Sequence, residues 1–352
     1  MLEQQKKTDY NSVIGFALIG IILFWFLNNQ AKTDEAERVA NTEVVAETPE
    51  ISYVSDTSIS VTNFESDSVV SAHLVEAYGA FANAANKEDN SEKFVLENDL
   101  VKVEVAAKGA RVSSVYLKEY QTHDSLPVNL LREDSSAFNL TFWSQNRRLQ
   151  TSDFVFETSQ SRVGDKQVLS MRLNVEEGKY LEFAYSLEPN SYKVDYTVNF
   201  IGLDGLVQAQ NPIHLDWSVR VPRQEKNRDN EAMNTSAYYF VDGEVDYLSS
   251  TSDDSERVLN TDWIAIKSQY FSTALTSSAL GKEIELSTVA HPNSQDFLKT
   301  ISASTDLQYK GGNSSYAMEW FFVPNHVKTL KSYDIGLEEL VPLGWSIVGW
   351  IN

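Results

Sequence analysis

The chain has 352 residues, a formal net charge of −21 and no cysteine. Lack of cysteine excludes disulfides and thiolate-bound metals. The excess of carboxylates argues against nucleic acid as a partner, because phosphate binding needs clustered Lys and Arg, and against a broad polybasic face for anionic lipid.

Between Asp9 and Lys32 no residue is charged. The apolar centre of this run contains Val13, Ile14, Phe16, Leu18, Ile19, Ile21, Ile22, Leu23, Phe24, Trp25, Phe26 and Leu27. A helix over residues 10–31 would rise about 33 Å at ~1.5 Å per residue, enough for a hydrocarbon core of about 30 Å. Trp25 falls near one end, where interfacial aromatics concentrate. No polar stripe interrupts the run, and Asn28-Asn29-Gln30-Ala31 lacks the small-x-small pattern of a cleavage site. Residues 1–31 are therefore predicted to be an uncleaved membrane anchor. Lys6 and Lys7 before it balance Lys32 and Arg38 after it. Only the free amino terminus tips the orientation towards an inside N-terminus.

Residues 32–90 are predicted to be an acidic, disordered tether with one short helix. From Lys32 to about Asp67 the chain is rich in Glu, Asp, Ser and Thr, and cannot bury enough apolar area to offset chain entropy. Within residues 69–85, Leu74, Ala77, Tyr78 and Phe81 recur at helical spacing.

From residue 91 the period becomes two. Apolar and polar residues alternate over residues 101–105, 181–187 and 192–200, which predicts half-buried antiparallel strands. Further β-branched and aromatic runs cover residues 213–221, 238–248, 264–276, 284–289, 301–307 and 316–323. Roughly a dozen strands with almost no helix between them predict a mainly β fold, one large antiparallel β-sandwich of two sheets over residues 91–328. Gly311-Gly312-Asn313 lacks the Lys-Ser or Lys-Thr of a phosphate loop and reads as a hairpin turn. Asp253-Asp254 lacks the spaced oxygen ligands of a calcium loop and reads as solvated surface.

No two of the five histidines have metal-motif spacing. His214 beside Asp216 and Trp217 is the one arrangement that suggests acid–base work on a sugar ring. In a strand, however, His214 and Asp216 share a face and Trp217 takes the other. A structural histidine next to a core tryptophan explains the same residues, so neither an enzyme nor a cofactor is expected.

After residue 323 the period changes again. Leu330, Tyr333, Leu337, Leu340 and Val341 fall on one helical stripe, with Lys331, Asp334, Glu338 and Glu339 mainly opposite. Pro342 ends or kinks this helix. Residues 343–351 are apolar and carry Trp345 and Trp350. Two readings stand: an amphipathic helix docked on the sandwich, or an interfacial helix that leads into hydrocarbon over residues 329–352. The tryptophan pair favours the interface. The chain stops inside this charge-free stretch, which predicts the front part of a larger membrane protein.

The ends and the middle together resemble the N-terminal portion of a bacterial YidC-type membrane protein insertase. The opening Asp9-Tyr-Asn-Ser-Val-Ile-Gly-Phe-Ala-Leu-Ile-Gly looks like that family's first span. Glu97-Asn-Asp-Leu-Val-Lys-Val-Glu-Val and Lys108-Gly-Ala-Arg-Val-Ser-Ser-Val-Tyr-Leu-Lys-Glu-Tyr120 are similar to the start of its extracytoplasmic domain. Trp263-Ile-Ala-Ile-Lys-Ser-Gln-Tyr-Phe-Ser-Thr-Ala-Leu275 looks like a motif late in that domain. Leu330-Lys-Ser-Tyr-Asp-Ile-Gly-Leu-Glu-Glu-Leu, then Pro342-Leu-Gly-Trp345, resembles the interfacial helix before the insertase core. The resemblance implies an anchor with its N-terminus inside, a periplasmic β-supersandwich of mutarotase-like shape, and an inner-membrane location. It also implies partners: the Sec translocon with its accessory subunits, and nascent membrane proteins. In the family the insertase groove is built by later membrane helices, and no residue of this sequence takes that role. The competing class is a membrane-anchored carbohydrate-binding or aldose-epimerase-like β-sandwich domain.

Overall fold

Alternation along Lys193–Ile201 sets the frame: Val194, Tyr196, Val198 and Phe200 are buried, and the residues between them are half-buried. One face of such a strand packs on a core and the other meets water. The computed structural model describes residues 72–341.

The chain first builds a four-stranded sheet from β1 (Lys93–Glu97), β2 (Val101–Ala106), β3 (Val112–Gln121) and β4 (Pro127–Leu131). Strands β5 (Ser136–Ser144) and β6 (Arg147–Gln150) begin a six-stranded sheet. The run β7 (Glu157–Val163), β8 (Lys166–Glu176), β9 (Lys179–Leu187) and β10 (Lys193–Ile201) makes one side of a nine-stranded sheet. β11 (Ile213–Pro222) returns to lie beside β5. The nine-stranded sheet then gains β12 (Ser236–Val241), β13 (Glu244–Tyr247), β15 (Trp263–Lys267) and β16 (Phe271–Thr276). The six-stranded sheet gains β14 (Asp254–Leu259), β17 (Glu283–Ala290) and β18 (Phe297–Leu307). β19 (Ser314–Pro324) closes the nine-stranded sheet between β16 and β10. Helical pieces are short: α1 (72–78), α2 (Ala82–Ala85), α3 (Arg228–Met233) and α4 (Val327–Lys331).

The nine- and six-stranded sheets face each other through aromatic pairs. Phe138 meets Tyr196 at 5.8 Å, Phe142 meets Phe200 at 6.1 Å, and Trp217 meets Trp320 at 4.9 Å between centroids. The four-stranded sheet joins this core where the Tyr185 hydroxyl donates to the Ala110 carbonyl at 2.6 Å. The fold is thus mainly β and antiparallel, as expected, but it has three sheets rather than two. Gly311-Gly312 is not a hairpin turn: β18 and β19 belong to different sheets, so this bend carries the chain across the sandwich. Both glycines have positive φ, 79° and 69°. Two runs read as continuous are hairpins, one turning at Asp242-Gly243 with φ of 54° and 84°, the other between β15 and β16.

The core reaches past the 91–328 boundary at both ends, taking in Phe81 on one side and Leu330, Leu337 and Leu340 on the other. At the N-terminal end, Arg147 Nε donates to the Glu76 carbonyl at 2.6 Å and caps the exit of α1. The single amphipathic helix expected over residues 330–341 is replaced by α4 and a separate 3-10 turn, Leu337–Leu340. Asp334 and Gly336 between them have φ of 55° and 77°, which no right-handed helix accommodates. The anchor residues Val13 to Leu27, most of the tether, and Trp345 lie outside the described residues. Among the described residues no helix is long and apolar enough to cross a membrane.

Candidate functional site

Strands β15, β16 and the end of β19 are buried on both faces almost without a break. An antiparallel strand with one wet face alternates, so something must cover the second face here. The cover is the C-terminal segment, residues 325–341. Inner-face residues such as Trp320 meet the six-stranded sheet. On the outer face Tyr238, Ala265, Ala274 and Phe321 stand side by side across four strands. Two methyl groups between two rings leave a trough across the sheet, and both alanines are buried.

The segment is fixed along its length. At its root Asn325 donates Nδ2 to the Ser268 carbonyl at 2.9 Å, accepts from Ser272 Oγ at 2.6 Å, and bonds through its backbone to Tyr270. Midway, the Tyr333 hydroxyl accepts from the Tyr192 backbone N–H at 3.1 Å, while its ring meets Phe321 edge-on at 5.0 Å. Burial pushes the Tyr333 phenol above its ordinary pKa. Further on, Trp263 Nε1 donates to the Ile335 carbonyl at 2.8 Å. Trp263 is stacked flat on Phe240 at 5.3 Å, and a Cβ at Gly336 would lie 2.7 Å from that Phe240 ring. Leu330, Leu337 and Leu340 are wholly buried.

The structure therefore places Leu330, Leu337 and Leu340 in the domain's core, rather than on a face turned outward. Tyr333 packs beside them and Val341 is half-buried. Sequence reasoning missed Asn325, Phe240, Gly336 and the indole bond of Trp263. Gly336 alone carried a signal, as a breaker inside a helical stripe. Where the segment bends, an open depression of about 760 Å³ is lined by Phe240, Asn260, Asp262, Trp263, Leu280 and Ile335 among others.

His214 is held by two carboxylates on the outer face of the six-stranded sheet. Its Nδ1 lies 2.8 Å from Asp306 Oδ1 and its Nε2 lies 3.2 Å from Asp216 Oδ1. Trp217 is buried on the opposite face, so the aromatic and the imidazole do not share a surface. Asp254 accepts from the Ser249 N–H at 2.7 Å and closes its own loop, whereas Asp253 accepts from the Ala290 N–H at 2.8 Å and ties that loop to the end of β17. Among the described residues no group of three or more His, Asp or Glu is arranged to hold a metal ion.

A family model described as the YidC periplasmic domain matches residues 93–352. The chain belongs to the YidC family. A membrane protein insertase YidC of Parabacteroides distasonis is 34% identical, covering 98% of this chain and 57% of the relative. That of Porphyromonas gingivalis is 33% identical with the same coverage, and that of Bacteroides fragilis is 30% identical, covering 98% and 56%. The chain thus spans little more than half the length of these YidC relatives. Among solved structures, a putative aldose 1-epimerase from Escherichia coli K12 is similar, with 10% identity and a TM-score of 0.41 over 66% of this chain and 99% of that one. A galactose mutarotase-like protein from Lactobacillus casei gives 11% and 0.42, over 66% and 100%.

Proposed function

We propose that this chain is the anchor and periplasmic portion of a membrane protein insertase of the bacterial inner membrane. On this reading the apolar run at residues 13–27 holds the chain in the bilayer, the acidic tether sets the domain's reach, and the sandwich stands in the periplasm. Partners are the Sec translocon with its accessory subunits and nascent membrane proteins, and the domain does no chemistry of its own. The observation that carries the reading is the family match over residues 93–352.

The docked C-terminal segment gives the domain a mechanical part. A domain hung on a free linker swivels, whereas one whose outer sheet is clamped by the exiting chain turns with it. Asn325, Tyr333, Trp263 and Gly336 supply that clamp at three points. Residues 342–352, with Trp345, then enter the membrane interface.

Spheroplasts that express the chain test the topology. Protease added from outside should digest the sandwich, and alkaline extraction should leave the protein in the membrane pellet. Protection from the protease, or release into the supernatant, removes the reading.

A further inference from the structure

Lys267 departs from the rule that a buried cation has an acceptor. Its side chain is only 6% exposed. A second buried lysine, Lys299, donates to the Thr235 and Ser250 carbonyls at 2.6 Å each. Among the described residues Lys267 has no such partner, and burial lowers its pKa with no neighbouring charge to offset it. Its Nζ lies 5.0 Å from the centroid of the Tyr238 ring. A lysine stem can be covered while an ammonium without an acceptor stays at the edge of water.

The cross-strand neighbours of Lys267 are Ser236 and Ser272, whose hydroxyls are already donated to the Leu248 carbonyl and to Asn325. Tyr238 is stacked on Tyr247 at 5.0 Å, and Tyr247 is 53% exposed on the edge strand β13. The carboxylates close by in sequence do not serve the lysine. Register puts Asp246 opposite Tyr239 and Glu244 opposite Val241, on the other face of the sheet. Glu256 accepts the Tyr239 hydroxyl. Among the described residues no carboxylate bonds Lys267, so an ammonium without an acceptor stands beside a two-ring platform.

We propose that Lys267, Tyr238 and Tyr247 form a docking point for a partner protein segment that presents a carboxylate beside an aromatic side chain. The carboxylate supplies the acceptor that Lys267 lacks among the described residues. The partner's ring extends the tyrosine stack, the kind of aromatic anchor on which interfaces concentrate their affinity. Cation and ring already stand in cation–π relation, so the site is preorganised.

The test uses the whole chain in detergent, labelled with carbon-13 at the lysine ε position, and 3-phenylpropionate as the probe. Loss of one resonance in Lys267→Met assigns the signal. The probe should shift that signal saturably. Acetate and 3-phenylpropanol, which each lack half of the pharmacophore, should bind at least about tenfold more weakly, as expected for one lost charged or stacked contact. Tyr247→Ala, at an exposed position, should weaken the probe by a similar factor. An unmoved Lys267 signal overturns the proposal. So does equal binding of all three probes, or retention of full affinity in Tyr247→Ala.

Discussion

Trp263 and Ile335 lie 72 positions apart, and the indole N–H of one ends on the carbonyl of the other at 2.8 Å. This bond ties the C-terminal segment to the sheet it covers. Trp263→Phe keeps most of the ring packing on Phe240 and leaves the Ile335 carbonyl without its donor. The expected loss is about 1–2 kcal/mol, read as a lower urea midpoint with an unchanged slope. An unaltered midpoint would mean that water replaces the indole at no cost.

Gly336 needs both its left-handed φ of 77° and its missing side chain, since a Cβ would sit 2.7 Å from Phe240. Gly336→Ala should destabilise the domain by roughly 1–3 kcal/mol. Phe240→Leu should return part of that loss in the double variant, because it removes the clash and leaves the backbone strain. Strict additivity of the two changes would show that the ring is not what Gly336 avoids.

Leu337 is wholly buried and Val341 only half-buried. Leu337→Asp places an unpaired carboxylate in the core and should cost about 3–5 kcal/mol. Val341→Asp should cost well under that. The comparison is a pair of thermal melts without lipid. If both variants melt alike, Leu337 acts on a surface and not within the domain.

Burial lowers the Lys299 ammonium to about 8, against an ordinary lysine value of 10.5. Between those values the unfolded chain binds more protons than the folded one, so this residue's contribution to stability rises with pH. Its destabilising charge is fully present below pH 8 and gone above about 10.5. The stability of the wild type relative to Lys299→Met should therefore improve between pH 8 and pH 10. Comparison with the variant cancels the buried tyrosines, whose raised pKa values act in the opposite sense at higher pH. A difference that stays flat across this range would exclude the titration.

Particular strands show how far local pattern reaches. Alternation in β9 and β10 was legible because each residue faces either core or water, and the sequence must switch accordingly. The two hairpins within residues 238–248 and 264–276 were hidden in β-branched and aromatic runs. Asp242-Gly243 was a usable turn signal, whereas Ser268, Gln269 and Tyr270 were not. His214 and Asp216 were rightly given one face, but Asp306, the closer partner at 2.8 Å, comes from a strand 92 positions away. No spacing rule brings it near.

The sequence by itself determined the class of the fold and the apolar stripe of residues 330–341, since periodicity and burial are local consequences of side-chain order. The tertiary structure alone decided what that stripe touches. A helix at an interface and a segment clamped in a sheet both need leucines three and four apart, so the pattern does not separate them. The choice was made by partners distant in the chain. Ala265 and Ala274 open the trough, Trp263 and Tyr192 supply donors, and Phe240 leaves room only for a glycine.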